Sequence, residues 1–254
     1  MPIQETCSVA EAVRLNDYAY SFTLEAPGIA AAIAGPGQFV HIKCGHSRLL
    51  RRPISICDWE EGLVRVVFEV RGDGTAWLAR RAAGDKLDVL GPLGSGFRLE
   101  RGSRALLVGG GIGVPPMLGC AKYAGGSASA VLGFRAADRA MLLDEFCNNC
   151  KDISLCSDDG TLGEQGFVDT LMGRILEKDK SFTMILACGP KPMLRSVVRT
   201  AAQYGVPCQV SMEERMACGV GACLGCAVQM ADGTMKHVCK DGPVFSAEEV
   251  DWNV

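Results

Sequence analysis

The sequence predicts an α/β-plus-β protein in three parts: an antiparallel β-barrel over residues 1–100, a nucleotide-binding parallel α/β sheet over 101–212, and a small cysteine-bearing segment over 213–254. Three observations carry this expectation. Short strand patterns broken by Pro, Gly and Asp fill the first part, as in small antiparallel barrels. Strand and helix patterns alternate from Arg104 onward, which marks a parallel sheet with crossover helices. Four cysteines then fall as Cys218-x4-Cys223-x2-Cys226-x12-Cys239.

In the first part, strands are expected over 21–25, 38–43, 53–57, 63–70 and 87–90, with a helix over 76–81. The second part reads as strand 105–108, helix 115–123, strand 130–134, helices 141–147 and 167–176, strand 183–187, helix 192–204 and a last strand 208–211. Apolar runs such as Ala105-Leu106-Leu107-Val108 suit parallel strands covered on both faces. The third part is too short for a large core of its own and is expected to lean on a bound group and a partner surface.

With 254 residues, 48% apolar and 22% charged, the chain has the composition of a packed globular protein. It shows no membrane-spanning apolar run and no secretory signal pattern, so the cytoplasm is the expected compartment and no membrane partner is expected. A net charge of −3 argues against a nucleic-acid partner. Seven acids against three bases from Glu213 onward fit either solubility or the steering of a partner. The 13 cysteines sit in a chain too long and too rich in core residues for a disulfide scaffold. His41, His46 and His237 stand in no metal-ligand spacing.

The cysteine spacing is that of a plant-type ferredoxin loop, which holds a 2Fe-2S cluster on four thiolates. Gly219, Gly221 and Gly225 would let the loop bend sharply enough for three thiols to converge. A four-thiolate zinc site is the alternative, although such sites are normally built from two C-x2-C pairs and only Cys223 and Cys226 form one. The loop Gly109-Gly110-Gly111-Ile112-Gly113 lies where a strand hands over to a helix, so it suits either a pyrophosphate or close strand-to-helix packing. It departs from the G-x-G-x-x-G fingerprint because Val114 takes the third glycine position. Cys188-Gly189-Pro190 ends a later strand on the same sheet edge, where Cys188 is either a neighbour of a nicotinamide ring or a small buried residue. In the barrel, Arg52-Pro53-Ile54-Ser55 offers an arginine for a phosphate and a serine for a ring edge, or an ordinary strand with an exposed arginine. Gly72-Asp73-Gly74-Thr75 is a second phosphate-cradle candidate. Cys147, Cys150 and Cys156 read as structural or surface thiols.

Together, Pro36-Gly37-Gln38-Phe39-Val40, Arg52-Pro53-Ile54-Ser55, Gly72-x-Gly74-Thr75, the glycine loop to Met117 and Cys188-Gly189-Pro190 resemble the ferredoxin-NADP reductase superfamily in order and content. The stretch from Met212-Glu213-Glu214-Arg215-Met216 through Cys226 resembles, more narrowly, the electron-transfer subunits of two-subunit, NAD-linked dihydroorotate dehydrogenases. This resemblance implies FAD on the barrel, NAD as a diffusible substrate on the sheet, and a 2Fe-2S cluster on Cys218, Cys223, Cys226 and Cys239. It implies that Arg52, Pro53, Ile54 and Ser55 hold the flavin and its phosphates, that Val67, Phe68 and Glu69 form a second flavin-contacting strand, and that Gly74 and Thr75 meet the pyrophosphate. Gly109, Gly110, Gly111, Gly113, Cys188, Gly189 and Pro190 fall to the nicotinamide nucleotide, and Asp158 and Asp159 would disfavour a 2′-phosphate. The implied partner is an FMN-bearing catalytic subunit, in a heterotetramer with two copies of each. The implied activity is an electron relay from dihydroorotate to NAD+ in pyrimidine (UMP) biosynthesis, with no catalytic acid or base on this chain. Two alternatives stand beside it. One is the small subunit of a ferredoxin-NAD(P) oxidoreductase, a transhydrogenase or a sulfide dehydrogenase; the other is a zinc-stabilised adaptor with a nucleotide-binding domain.

Overall fold

The computed structural model describes residues 2–45 and 49–253, so His46 lies outside the described residues. The first part contains β1 (Ile3–Arg14), β2 (Ala19–Glu25), α1 (Pro27–Ala32), β3 (Phe39–Ile42), β4 (Arg52–Glu60), β5 (Leu63–Glu69), α2 (Asp73–Leu78) and β6 (Lys86–Leu93). Its six strands close into the expected antiparallel barrel in the order β1-β2-β5-β4-β3-β6. The long β1 closes it by changing partners: Ile3–Ser8 pair with β6 and Ser8–Arg14 with β2, with an irregularity between Val9 and Glu11. Bulges bend a strand in this way at barrel corners. The helix expected over 76–81 begins earlier, because the Thr75 hydroxyl accepts N–H bonds from Arg71 and Gly72 and ties the turn into α2.

The second part runs β7 (Ala105–Gly110), α3 (Val114–Ala124), β8 (Ser129–Phe134), α4 (Leu143–Asn149), β9 (Asp152–Ser157), β10 (Glu164–Gln165), α5 (Val168–Lys178), β11 (Met184–Cys188), α6 (Lys191–Tyr204) and β12 (Cys208–Ser211). These strands are parallel, ordered β10-β9-β8-β7-β11-β12, so the winding reverses between β7 and β11. A ligand crevice belongs at the carboxyl ends of the strands flanking such a reversal. Helix α3 is buried along most of its length because the sheet covers one side and the barrel the other. Gly119 makes this possible, since a Cβ there would stand 2.9 Å from the Cys57 carbonyl oxygen of β4. Ion pairs Lys122–Asp58 and Arg65–Glu145 bridge the same seam.

The chain does not end its sheet at β12. The third part supplies β13 (Ala227–Gln229), β14 (Met235–His237) and β15 (Val244–Ser246); the first two form a hairpin, and β15 adds to β12 as a seventh, antiparallel edge strand. Cys226, Val228, Val238, Cys239 and Phe245 share one apolar core with Phe39 and Leu93 of the barrel and with α5 and α6. The short segment therefore leans on the sheet and barrel of its own chain. No helix among the described residues is long and apolar enough to cross a membrane. Because Phe245 is 4% exposed within this shared core, Phe245→Ala should lower the unfolding free energy by about 3–5 kcal/mol. Urea unfolding followed by tryptophan fluorescence should show that loss in the main transition; a loss confined to a separate early step would contradict it.

Candidate functional site: two joined cavities and a thiol loop

Two cavities meet between barrel, sheet and the segment that leaves β12. The larger, ≈ 780 Å³, opens at the β7/β11 reversal. The smaller, ≈ 200 Å³, lies between β4 and β5 on one side and residues 211–216 on the other. Glu69, Arg71, Ile112 and Glu213 line both, so the cavities share a wall.

The smaller cavity gathers most of the barrel residues singled out above: Pro53, Ile54, Ser55, Val67, Phe68, Glu69 and Thr75 all face it, joined by Phe39 and Met216. They converge because Pro53, Ile54 and Ser55 lie where β4 pairs with β3, with Ser55 opposite Phe39, and Val67, Phe68 and Glu69 end the neighbouring β5. Arg52 and Gly74 sit just outside. The Arg52 guanidinium lies so close to Gly74 that a Cβ there would strike it, and its Nη1 donates to the Leu50 carbonyl at 2.6 Å. Apolar walls with a few polar groups suit a flat ring system, with an arginine at the rim for its phosphates.

In the larger cavity, Gly110, Gly111, Gly189 and Pro190 form the floor, while Gly109, Gly113 and Cys188 stand behind it. Gly113 packs so tightly on the Cys188 carbonyl that any Cβ would collide with it, and Gly109 pairs with Cys188 in the β7–β11 register. The packing role that the glycine loop's sequence allows is thus present, and Gly110 and Gly111 leave open backbone at the cavity floor. Cys188 is 2% exposed; burial, with a contribution from the Glu213 charge, pushes its thiol up to about 12 against a hydrogen bond from Ser211. Asp158 faces the cavity, whereas Asp159 turns away to accept bonds from the Thr161 amide and hydroxyl. Arg135, Arg139 and the exposed ring of Phe167 line the same end, and none of the three carried a sequence signal. Glu213 entered the sequence reading only as part of the stretch before the first cysteine, with no place in a cavity. It presents surface to both cavities, yet the surrounding protein removes enough water to raise its carboxyl group above the ordinary range; Arg71 opposes this and Glu69 adds to it.

The thiols form two pairs, Cys218 with Cys223 and Cys226 with Cys239. The Cys218 sulfur accepts backbone N–H bonds from Val220, Ala222 and Cys223 at 3.3–3.4 Å, and the Cys239 sulfur accepts one from Gly221 at 3.1 Å. Burial opposes ionisation of Cys218, but its amide donors bring the thiol down to about 6. Burial and the neighbouring Cys226 push Cys239 up to about 12. Two thiol pairs wrapped by amide donors fit a group with two iron atoms, which each pair would ligate. The bends come from Gly219 and Gly221 at φ +74° and +79°; the third falls on Leu224 at φ +60° and not on Gly225 as expected. Cys147 is exposed, Cys150 is half-buried with its thiol pushed up to about 12, and Cys156 is buried against the larger cavity.

Residues 213–251 match the family described as the iron-sulfur cluster binding domain of dihydroorotate dehydrogenase B. The whole chain is 42% identical over 260 residues to a protein of Bacillus caldolyticus named dihydroorotate dehydrogenase B (NAD(+)), electron transfer subunit, covering 97% of this chain and 98% of that one. This chain belongs to that family of electron-transfer subunits. A member from Fusobacterium nucleatum is 36% identical, with 97% of this chain and 98% of that one covered. Among solved structures, an NADH-dependent reduced ferredoxin-NADP oxidoreductase superposes with a TM-score of 0.88 at 34% identity, covering 98% of this chain and 91% of that one. The ferredoxin reductase of carbazole 1,9a-dioxygenase shares the fold, at a TM-score of 0.69 and 23% identity, over 81% of this chain and 67% of that one. Membership in the electron-transfer subunit family makes the chain an oxidoreductase component and replaces the zinc-adaptor alternative.

Because Gly113 has no room for a methyl group, Gly113→Ala should separate the ends of β7 and β11 and slow NADH-driven reduction of an artificial acceptor by about 10²-fold. Gly173→Ala is the control: on α5 its Cβ would make ordinary contacts with Thr200 at 3.5 Å and Tyr204 at 3.8 Å, so activity should persist and stability rise by about 1 kcal/mol. Steady-state kinetics on both variants checks this pair.

Proposed function

We propose that this chain carries electrons from the FMN of a dihydroorotate dehydrogenase catalytic subunit to NAD+, in pyrimidine (UMP) biosynthesis, within a cytoplasmic heterotetramer of two copies of each subunit. On this reading residues 1–100 bind FAD, 101–212 bind NAD and 213–254 bind the 2Fe-2S cluster. One observation carries it: the smaller cavity touches the nucleotide crevice through Glu69, Arg71, Ile112 and Glu213, and touches the lead-in to the thiol loop through Glu214 and Met216. A group held there meets both a hydride donor or acceptor and a one-electron carrier.

When bound, FAD supplies the conversion between a hydride pair and the single electrons that the cluster can carry. The protein's part is placement. Pro53, Ile54, Ser55, Val67, Phe68 and Glu69 seat the flavin ring, and Arg52, Gly74 and Thr75 take its phosphates. Gly110, Gly111, Gly189 and Pro190 leave backbone space for the nicotinamide nucleotide, while Gly109, Gly113 and Cys188 hold that floor in shape. Asp158 disfavours a 2′-phosphate, and the neighbouring Arg135 and Arg139 take the nucleotide's existing phosphates. Cys218, Cys223, Cys226 and Cys239 ligate the cluster, and amide N–H groups on their sulfurs favour its reduced, more negative form. The exposed Val220 and Leu224 beside the exposed Cys223 form the docking face for the catalytic subunit. A second reading, the small subunit of a ferredoxin-NAD(P) oxidoreductase, is favoured by the 0.88 superposition; Glu213-Glu214-Arg215-Met216 ahead of the first cysteine favours the dihydroorotate system.

Anaerobic titration with NADH should bleach the flavin and produce a reduced 2Fe-2S EPR signal, and dihydroorotate should reduce the chain only when the FMN subunit is added. Reduction by NADH with no coupling to dihydroorotate in the presence of that subunit would favour the second reading. Leu224→Asp should leave NADH reduction of the isolated chain intact and weaken its affinity for the catalytic subunit by about 30-fold or more, the scale of an interface hot spot. Titration calorimetry would read this directly.

A further inference from the structure

Strand β3 carries a histidine that the relay so far does not use. His41 is fully buried, and neither ring nitrogen has a hydrogen-bond partner among the described residues. Leaving a buried polar group unpaired is costly, so such a group needs a reason to be there. Its polar edge faces the thiol loop. A Cβ built on Gly219 would stand 2.8 Å from Nδ1, 2.7 Å from Cε1 and 3.2 Å from Nε2. Gly219 directly follows Cys218 and lies at φ +74°, so only glycine lets the loop fold down over the ring. On its other side the imidazole lies 5.7 Å, centroid to centroid, from Phe39, which lines the smaller cavity. Residues two apart on a strand share a face, which places His41 between that cavity and the cysteines.

The ring is an uncharged donor. Burial first, and then the Arg51 charge, lower its pKa to about 4, leaving one N–H and one lone pair at neutral pH. An N–H aimed at iron-sulfur sulfur favours the form with the extra electron, whose negative charge spreads onto sulfur.

We propose that His41 is a positioning residue of the iron-sulfur site: its ring N–H donates to the sulfur framework on the Cys218 side of the bound cluster, raising the reduction potential and seating the loop against the flavin cavity. The proposal rests on the cluster reading given under the proposed function.

The test uses the full chain with its cofactors in EPR-monitored redox titrations. His41→Phe keeps a ring but has no N–H, whereas His41→Gln keeps a donor. His41→Phe should titrate at a more negative potential than the wild type, with His41→Gln between them. A His41→Phe potential equal to that of the wild type at equal iron content would overturn the proposal. If His41→Phe does not fold, protein labelled with 15N only in histidine decides: pulsed EPR of the reduced cluster should show a weak nitrogen coupling that vanishes in His41→Gln. No coupling, or one that survives in His41→Gln, would overturn it. A wild-type protein without iron-sulfur absorption would fail the cluster reading itself, an outcome distinct from both.

Discussion

Hydride exchange with nicotinamide needs its partner ring in contact, and a one-electron carrier must lie close enough for an electron to tunnel; in this fold both demands fall on one stretch of backbone, Ser211 to Met216. It leaves the last parallel strand, forms one wall of the smaller cavity and runs straight into the thiol loop. The stretch stays in place because β15 returns to pair with β12, and because the Met212 amide donates to the Pro243 carbonyl at 2.8 Å. Sheet, barrel and thiol loop are thereby held as one packed unit, with Phe39, Leu93, Cys226, Cys239 and Phe245 in a common core. A cluster segment tethered by a flexible linker would leave its distance from the flavin cavity to chance.

Glycine serves this arrangement through absence of bulk more than through flexibility. Gly119 lets α3 approach β4, Gly113 lets the ends of β7 and β11 close up, and Gly219 lets the thiol loop settle on His41. Gly119 and Gly219 remove a side chain at seams between parts of the chain, and Gly113 does so within the sheet. The close approaches draw barrel, sheet and thiol loop together.

Legibility in the sequence follows the range of each signal. The four cysteines, the glycine loop and Arg52 to Ser55 were readable because a few consecutive residues define their geometry. Arg71, Arg135 and Phe167 were not, nor was the cavity position of Glu213, since only tertiary convergence brings them to a cavity. Strand β1 was missed because its irregularity at Val9 and Glu11 and its polar outer half blur the alternation, and β9 because Asp-Ile-Ser-Leu-Cys-Ser is short and mixed. Helix α1 is six residues long with a proline at its start, so it has almost no periodicity to read. The edge strand β15 lay beyond the expected last strand for a related reason: Val-Phe-Ser carries no pattern, and its partner is set by the turn at Pro243.

The smaller cavity lies at the junction between the nucleotide crevice and the lead-in to the thiol loop. Rapid mixing of the oxidised chain with NADH, followed by flavin absorbance and freeze-quench EPR, tests it most directly and needs no partner subunit. Flavin absorbance should fall first, and the reduced-cluster signal should follow within the same chain at a rate independent of protein concentration. A fully reduced flavin beside a cluster that stays oxidised, or that is reduced only in proportion to protein concentration, would contradict it.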